Sequence, residues 1–114
     1  MKCRVIENWA ASYADPIQIR KGEAVALDGR RDIWDGHCWL WAKASDGREG
    51  WIPDDILDDS SGATTAKEDY SAKELSCQAG QVLTVIKETH GWVLCRASDG
   101  AIGWVPARNL TSVD

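Results

Sequence analysis

The sequence predicts an all-β protein made of two tandem copies of one small module. Two observations indicate this class: a tryptophan-bearing segment occurs twice, and apolar residues alternate with polar ones in short runs. The segment His37–Leu57 recurs 53 positions later as His90–Leu110, with ten of 21 aligned residues identical. No window of about 11 residues or more shows a convincing helical period. A repeat of roughly 50 residues is the signature of a duplicated structural unit.

The limits of the two copies follow from this repeat. The chain of 114 residues divides into a predicted first domain, 1–59, and a second, 60–114. Between them, Asp58–Thr65 reads DDSSGATT, which has the small, polar composition of a linker. A module of this size buries only about 60 % of its unfolded surface, so contacts between the copies would add to stability.

Each copy contains the same succession of strand runs. They are Ala24–Asp28 and Trp39–Ala44 in the first copy, and Val82–Lys87 and Trp92–Ala97 in the second. Alternation with period two is typical of strands that have one buried face. We expect the small residues of the second run to face the core and its tryptophans to lie on the outer face.

Turn residues delimit the hairpins. Ser-Asp-Gly follows the second run of each copy, and Asp-Gly supplies the positive φ angles of a tight turn. The next strands end at Pro53 and Pro106, because proline has no N–H for a ladder bond. Upstream of His37 the two copies align at an offset of 58 residues instead of 53. The difference locates a five-residue insertion in the first copy within Asp28–Gly36. This insertion holds Trp34, which either reaches a ligand or covers the first copy's own binding surface.

The charge of the chain argues against two classes of partner. The net charge is −5 and the pI is about 4.9. No basic stripe is available to neutralise phosphates, so nucleic acid and anionic membranes are not expected partners. The N-terminus lacks the apolar run of a signal peptide, and no stretch approaches the roughly 20 apolar residues of a membrane span. A cytoplasmic location is therefore the expectation.

The four cysteines predict free thiols rather than disulfides or a metal site. No two of Cys3, Cys38, Cys77 and Cys95 have the spacing of a zinc ligand pair, so neither a metal nor another cofactor is expected. Cys77 and Cys95 fall at apolar core positions. Cys38 aligns with Gly91 and is expected to be exposed. The aspartate runs predict a solvated acidic surface, because they lack the alternating oxygen ligands of a calcium loop.

The motifs of both copies occur in the order and spacing of a known family. In the second copy they are Ala66–Tyr70, Glu74–Cys77, Gly80-Gln81, Gly91-Trp92-Val93 and Gly103–Leu110. In the first copy they are Pro16–Ile19, Gly22-Glu23, Cys38-Trp39-Leu40 and Gly50–Leu57. This succession resembles the Src-homology-3 (SH3) domain, and bacterial tandem proteins of this type look closest.

The resemblance implies a fold and a mode of binding. Each copy is expected to form a small five-stranded SH3-like barrel that holds an extended, often proline-rich, peptide in an aromatic groove. In the second copy the resemblance assigns this groove to Trp92, Trp104, Pro106, Tyr70 and Asn109. In the first copy the corresponding residues are Trp39, Trp51, Pro53, Ile56 and Tyr13. Indole rings provide flat apolar faces and an N–H that can reach a peptide carbonyl.

The second copy is predicted to be the better ligand site. Only that copy has a tyrosine, Tyr70, at the expected register, and the connection before Trp92 is short. In the first copy the insertion with Trp34 lies beside Trp39, and we expect it to occlude part of the groove.

Three functional classes follow from these observations. The first is a non-catalytic adaptor or regulatory module that binds a protein or peptide ligand, as a monomer or weak homodimer. The alternative is a structural or self-associating protein whose copies bury each other's grooves, which the absence of the family's groove tyrosine at Ile56 and Asn109 favours. An enzyme is least supported, because no nucleophile or oxyanion donor recurs beside His37 and His90. Both histidines are predicted to be solvated loop residues or ligand hydrogen-bond partners.

Overall fold

A computed structural model of the chain describes residues 1–12, 15–34, 36–58 and 64–113. Strands and two short 3-10 turns, Asp54–Ile56 and Ala107–Asn109, make up its regular structure. The strands are β1 (Lys2–Val5), β2 (Gln18–Ile19), β3 (Ala26–Trp34), β4 (His37–Lys43), β5 (Glu49–Pro53), β6 (Leu57–Asp58), β7 (Thr65–Ala66), β8 (Tyr70–Ser71), β9 (Val82–Thr89), β10 (Trp92–Arg96), β11 (Ile102–Pro106) and β12 (Leu110–Val113). Among the described residues, no helix has the length and apolarity needed to cross a membrane.

The chain folds into two compact units. Unit 1 consists of Met1–Ala14 together with Lys73–Asp114, and unit 2 consists of Asp15–Ala72. Each unit therefore takes segments from both sequence repeats.

Unit 1 is built on a five-stranded antiparallel sheet in the order β11-β10-β9-β1-β12. Strand β1 lies in its interior, with Cys3 opposite Leu83 of β9 on one side and Ser112 of β12 on the other. Alternation along each strand turns every second residue inward. The resulting core consists of Cys3, Val5, Leu75, Cys77, Leu83, Val93, Cys95 and Val105.

Unit 2 repeats this plan with shorter ladders. Strands β3, β4 and β5 form an antiparallel sheet, and β6 pairs with β7. A bridge between Ala24 and Thr65 places β7 beside the start of the β3 strand, as β1 lies beside β9 in unit 1. Six of its buried apolar residues occupy the same relative positions: Ile17, Ile19, Val25, Ala42, Ile52 and Ala66.

The two repeats exchange their N-terminal strands, so the compact units differ from the sequence repeats. Strand β1 comes from the first repeat, but it completes a sheet whose other strands come from the second. Strands β7 and β8 come from the second repeat, but they pair with β6 and β2 in unit 2. The units that pack together are therefore not the continuous stretches 1–59 and 60–114.

The two ends of the predicted linker lie side by side. Asp58 and Thr65 are paired with each other in unit 2. Residues 59–63 of the predicted linker lie outside the described part of the chain. The chain passes from one unit to the other at 14–15 and at 72–73 instead.

The length of the connections gives a physical reason for the exchange. Only four residues separate Tyr70 from Leu75, whereas seven separate Trp9 from Ile17. A connection too short to fold back easily favours donation of the strand to a neighbouring module. Once β7 and β8 complete unit 2, the first repeat's own strand is left to complete unit 1.

The turns after β4 and β10 differ from the prediction in one respect. Gly47 and Gly100 both have φ +91°, but the aspartates before them do not have positive φ. The turns are three-residue turns with a single left-handed glycine. Asp46 and Asp99 instead accept hydrogen bonds from the backbone N–H two residues ahead, each at 2.9 Å.

The connection between β9 and β10 explains the position of one histidine. His90 and Gly91 have φ values of +52° and +81°, which are the conformations of a two-residue type I′ hairpin turn. The Thr89 hydroxyl lies 2.9 Å from His90 Nδ1. His90 therefore shapes the turn that precedes Trp92. Its counterpart His37 is not in a loop, because it lies in β4 opposite Trp34.

Candidate peptide-binding grooves

The aromatic surface of unit 1, termed groove 1, consists of Trp9, Trp92 and Pro106. Trp92 and Pro106 are opposite each other on β10 and β11, so their side chains share one face of the sheet. The ring of Trp9 stands edge-on to that of Trp92, with centroids 5.6 Å apart and an interplanar angle of 76°. Both indoles are half-buried, so each keeps part of its surface open to solvent.

Glu74 holds Trp9 in this orientation. Its Oε1 accepts a hydrogen bond of 3.0 Å from Trp9 Nε1. The same oxygen accepts bonds from the Ser12 backbone N–H at 3.2 Å and the Ser12 hydroxyl at 3.3 Å. Cys77 adds backbone bonds to Trp9 in both directions, at 2.8 and 2.9 Å. Groove 1 is therefore fixed before any ligand arrives.

Two predicted ligand residues of the second repeat, Trp104 and Asn109, are buried in unit 1. Trp104 is 6 % exposed, and its backbone bonds to Lys73 and Leu75 at 3.0 Å each. Asn109 is buried, and its side-chain amide donates to the carbonyl oxygens of Glu7 and Asn8 at 3.4 and 3.3 Å. Asn109 thus anchors the segment that carries Trp9, and its amide is already committed to the backbone.

The equivalent surface of unit 2, termed groove 2, consists of Trp39, Trp41, Trp51 and Pro53. Trp39 lies opposite Pro53, and Trp41 lies opposite Trp51. Trp39 is only 9 % exposed, whereas its counterpart Trp92 is half-buried, and Pro53 and Pro106 are both buried. Groove 2 therefore offers less of its central indole to a ligand than groove 1 does.

Trp41, which has no aromatic counterpart in the second repeat, packs against its neighbours. Its ring is edge-on to Trp51 with centroids 5.2 Å apart. Its Nε1 donates to Glu49 at 3.1 Å, and the Arg30 guanidinium lies 4.6 Å from its ring centroid. Arg30 is in turn paired with Asp28 at 2.7 Å. These contacts engage both the ring and the N–H of Trp41 within unit 2.

The five-residue insertion lengthens one hairpin beside groove 2. One residue falls in an irregularity of β3 between Leu27 and Arg31, where the register shifts relative to β4. The other four extend the β3–β4 hairpin to its last pair, Trp34 opposite His37. Trp34 is half-buried at this end, and Ile33 before it is 63 % exposed. Occlusion of groove 2 by Trp34 remains a prediction.

The strand exchange reassigns the residues contributed by the N-terminal segments. Tyr70, which the sequence analysis grouped with Trp92, pairs with Ile19 in unit 2, where it is 9 % exposed. Trp9, which the sequence analysis did not select, takes the corresponding place in unit 1 opposite Cys77. Ile56 is buried in unit 2. Tyr13 lies outside the described residues.

A sequence signal for Trp9 does exist. Glu7-Asn8-Trp9 aligns with Glu68-Asp69-Tyr70 at an offset of 61. The structure supports this offset, because Val5 and Ala66 make equivalent backbone bonds to Gly80 and Gly22. The sequence analysis compared Tyr70 with Tyr13 instead of Trp9. The sequence distance from Tyr13 to Tyr70 is closer to the offset of 58 that aligns the following segment.

Buried thiols distinguish the core behind groove 1. Cys3, Cys77 and Cys95 are buried, as predicted for Cys77 and Cys95. Burial raises the pKa of Cys95 to about 12 and also raises the pKa values of Cys3 and Cys77. These thiols are neutral and unreactive near neutral pH. Cys38 is half-buried rather than exposed, and the Arg31 guanidinium donates to its Sγ at 3.4 Å.

In unit 2, carboxylates hold loops in place through hydrogen bonds. Glu23 accepts bonds from the Ser45 hydroxyl at 2.7 Å and from the backbone N–H groups of Ser45 and Arg20 at 3.1 and 3.0 Å. These bonds lower the pKa of Glu23. The backbone N–H and side chain of Arg30 likewise lower the pKa of Asp28.

Comparison with known proteins agrees with this architecture. The variant SH3 domain family matches the chain twice, over residues 2–58 and 64–111. The chain belongs to the variant SH3 domain family. The predicted all-β class with two tandem SH3-like barrels is thereby confirmed, and domains of this kind are generally protein-interaction modules. Neither the curated proteins nor the solved structures give a significant match.

Proposed function

We propose that this protein is a non-catalytic interaction module that binds an extended peptide segment of a partner protein, mainly through groove 1. One observation carries the proposal: Trp9 and Trp92 form a fixed edge-to-face pair beside Pro106 while both indoles remain partly exposed. Fixed aromatic surfaces of this kind bind peptides at low entropic cost, because little ordering is needed on binding.

The chemistry of groove 1 suits an extended chain with apolar residues, including proline. Its indole faces are apolar, and the polar groups that hold Trp9 are already engaged by Glu74. Recognition of a polyproline-type segment uses such aromatic grooves, because the ligand helix is preformed. An adaptor or regulatory role follows if the bound segment belongs to a second protein.

The test begins with the intact chain and a peptide array, from which one binding peptide is chosen. Its affinity is then measured by titration for the Trp92→Ala, Trp9→Ala and Trp39→Ala variants. Truncation of a central aromatic anchor costs about 2 kcal/mol of binding, or about 30-fold in affinity. We expect Trp92→Ala and Trp9→Ala to lose about this much, and Trp39→Ala much less.

Trp41→Ala is a second groove 2 variant, because it removes a half-buried indole from the same strand as Trp39, and we expect it to lose little affinity. Circular dichroism confirms that each variant is folded. Equal losses from Trp92→Ala and Trp39→Ala, or a larger loss from Trp39→Ala, would contradict the assignment to groove 1. No loss from any variant would favour the structural alternative.

A further inference from the structure

Charge is divided unevenly between the two units. Unit 1 has six basic and five acidic side chains, whereas unit 2 has seven basic and thirteen acidic ones, which gives formal charges of +1 and −6. The net charge of −5 therefore conceals an acidic unit and a slightly basic one.

A row of residues crosses the outer face of the unit 1 sheet. Cross-strand pairing places five residues side by side in it: Ile102, Arg96, Thr84, Lys2 and Val113. Directly paired residues share a face of a sheet. The row turns outward because the adjacent residues Cys3, Leu83 and Cys95 are in the core.

A second row lies beside the first. Arg4 is paired with Val82 on one side and Thr111 on the other. Ile6, two residues after Arg4, is 51 % exposed. The two rows together with Ile6, termed the basic face, thus combine three cations with exposed aliphatic side chains and contain no carboxylate.

The cations of the basic face are not neutralised within the described part of the chain. Lys2, Arg4 and Arg96 are exposed and have no ion pair among the described residues. The exposed aliphatic residues beside them are Val82, Ile102 and Ile6. A surface that is both cationic and aliphatic fits a partner that is both acidic and aliphatic.

We propose that the basic face of unit 1 binds unit 2 of a second copy of this chain. Unit 2 has the complementary formal charge of −6. It also exposes aliphatic side chains at Leu27 and Ile33, on the β3–β4 hairpin. The basic face is distinct from groove 1, so self-association leaves that groove available to a peptide.

Other anionic partners fit less well. A nucleic-acid site commonly neutralises six or more phosphates, about twice the number of cations present here. Three cations give only about 3 kcal/mol of attraction to an anionic membrane, which is too little for stable binding without an inserted apolar element. Attraction to unit 2 would be salt-sensitive, because exposed charges are screened over about 8 Å at physiological ionic strength.

Sedimentation of the full chain over a range of concentrations tests the proposal. At an ionic strength of about 0.01 M, where the screening length is about 30 Å, we expect concentration-dependent self-association that weakens at about 1 M salt. The variant Lys2→Glu/Arg4→Glu/Arg96→Glu should raise the dissociation constant by about tenfold or more, because like charges would then face unit 2. Its fold is checked by circular dichroism, and Ile6→Ser/Ile102→Ser is the second variant if the first does not fold.

The control variant Lys21→Glu/Lys43→Glu/Lys67→Glu changes the net charge equally, but all three lysines are exposed on unit 2. Self-association that survives in this control supports the proposal. A chain that stays monomeric at low salt, or equal weakening by both triple variants, would overturn it. Binding of the monomer to phosphatidylserine vesicles through Lys2, Arg4 and Arg96, without self-association, would also overturn it and assign the face to membranes.

Discussion

Units 1 and 2 share a ladder pattern but present different grooves. Trp92 and Trp39 occupy the same position, opposite Pro106 and Pro53 respectively. Trp92 follows a two-residue turn and is half-buried, whereas Trp39 follows an extended hairpin and is 9 % exposed. The comparison shows that two copies of one fold can keep the same strand pairing while turn length and aromatic neighbours change the surface that a ligand meets.

The cores behind the two grooves also differ in chemistry. At equivalent positions unit 1 has Cys77 and Cys95, whereas unit 2 has Ile19 and Ala42. Loop fixation differs as well, since Glu23 holds the Ser45 turn in unit 2. The two units should therefore respond differently to packing changes and to pH.

The largest expected effect comes from equivalent glycines of β11 and β5. A Cβ added at Gly103 would lie 2.7 Å from the backbone of Glu74 and Leu75, whereas one at Gly50 would meet the Ile17 side chain at 2.9 Å. Backbone cannot move aside as readily as a side chain, so we expect Gly103→Ala to cost about 3 kcal/mol of unfolding free energy and Gly50→Ala about 1 kcal/mol.

Urea denaturation of both variants measures this difference. Similar costs would show that the β11 strand is no more tightly packed than β5. The comparison also bears on groove 1, because the bonds between Trp104, Lys73 and Leu75 would be disturbed by Gly103→Ala.

A change of pH is expected to have a smaller effect on stability. Unit 1 should lose stability at alkaline pH and unit 2 at acid pH. The pKa of Cys95 is about 12 in the folded state against an ordinary value of 9.0. Because the folded pKa is raised, the stabilisation is complete below the ordinary value and is lost as the pH rises from 9 towards 12. Residue-resolved hydrogen exchange should show unit 1 losing stability in this range, and Cys95→Ala should reduce the slope.

Unit 2 should instead be sensitive to acid. The pKa of Glu23 is lowered below its ordinary value of 4.5, so its contribution is present above that value and is lost as the pH falls through the folded pKa. We expect Glu23→Gln to remove part of the acid dependence in unit 2 while leaving the alkaline limit of unit 1 unchanged. The same acid dependence in the variant and the parent would contradict this role.

The sequence was sufficient for the all-β class and for the strand runs of each repeat. Period-two alternation and the repeated Trp and Pro residues depend on local geometry, which an aligned repeat reveals directly. The sequence did not predict the exchange of strands between the repeats, because strand pairing between distant segments leaves no local pattern. That is why the sequence analysis grouped Tyr70 with Trp92, although Tyr70 pairs with Ile19 in unit 2, and did not select Trp9.

The reciprocal exchange of strands between repeats is the central claim, and cleavage of the 59–63 segment tests it most directly. A protease site placed at Ser60-Ser61 would divide the chain into fragments that each contribute a strand to the other's unit. Size-exclusion chromatography of the cut protein under native conditions is the measurement. Exchange predicts that both fragments co-elute at the volume of the intact chain and separate only in denaturant. Two fragments that separate under native conditions and each retain a β-sheet dichroism spectrum would contradict it.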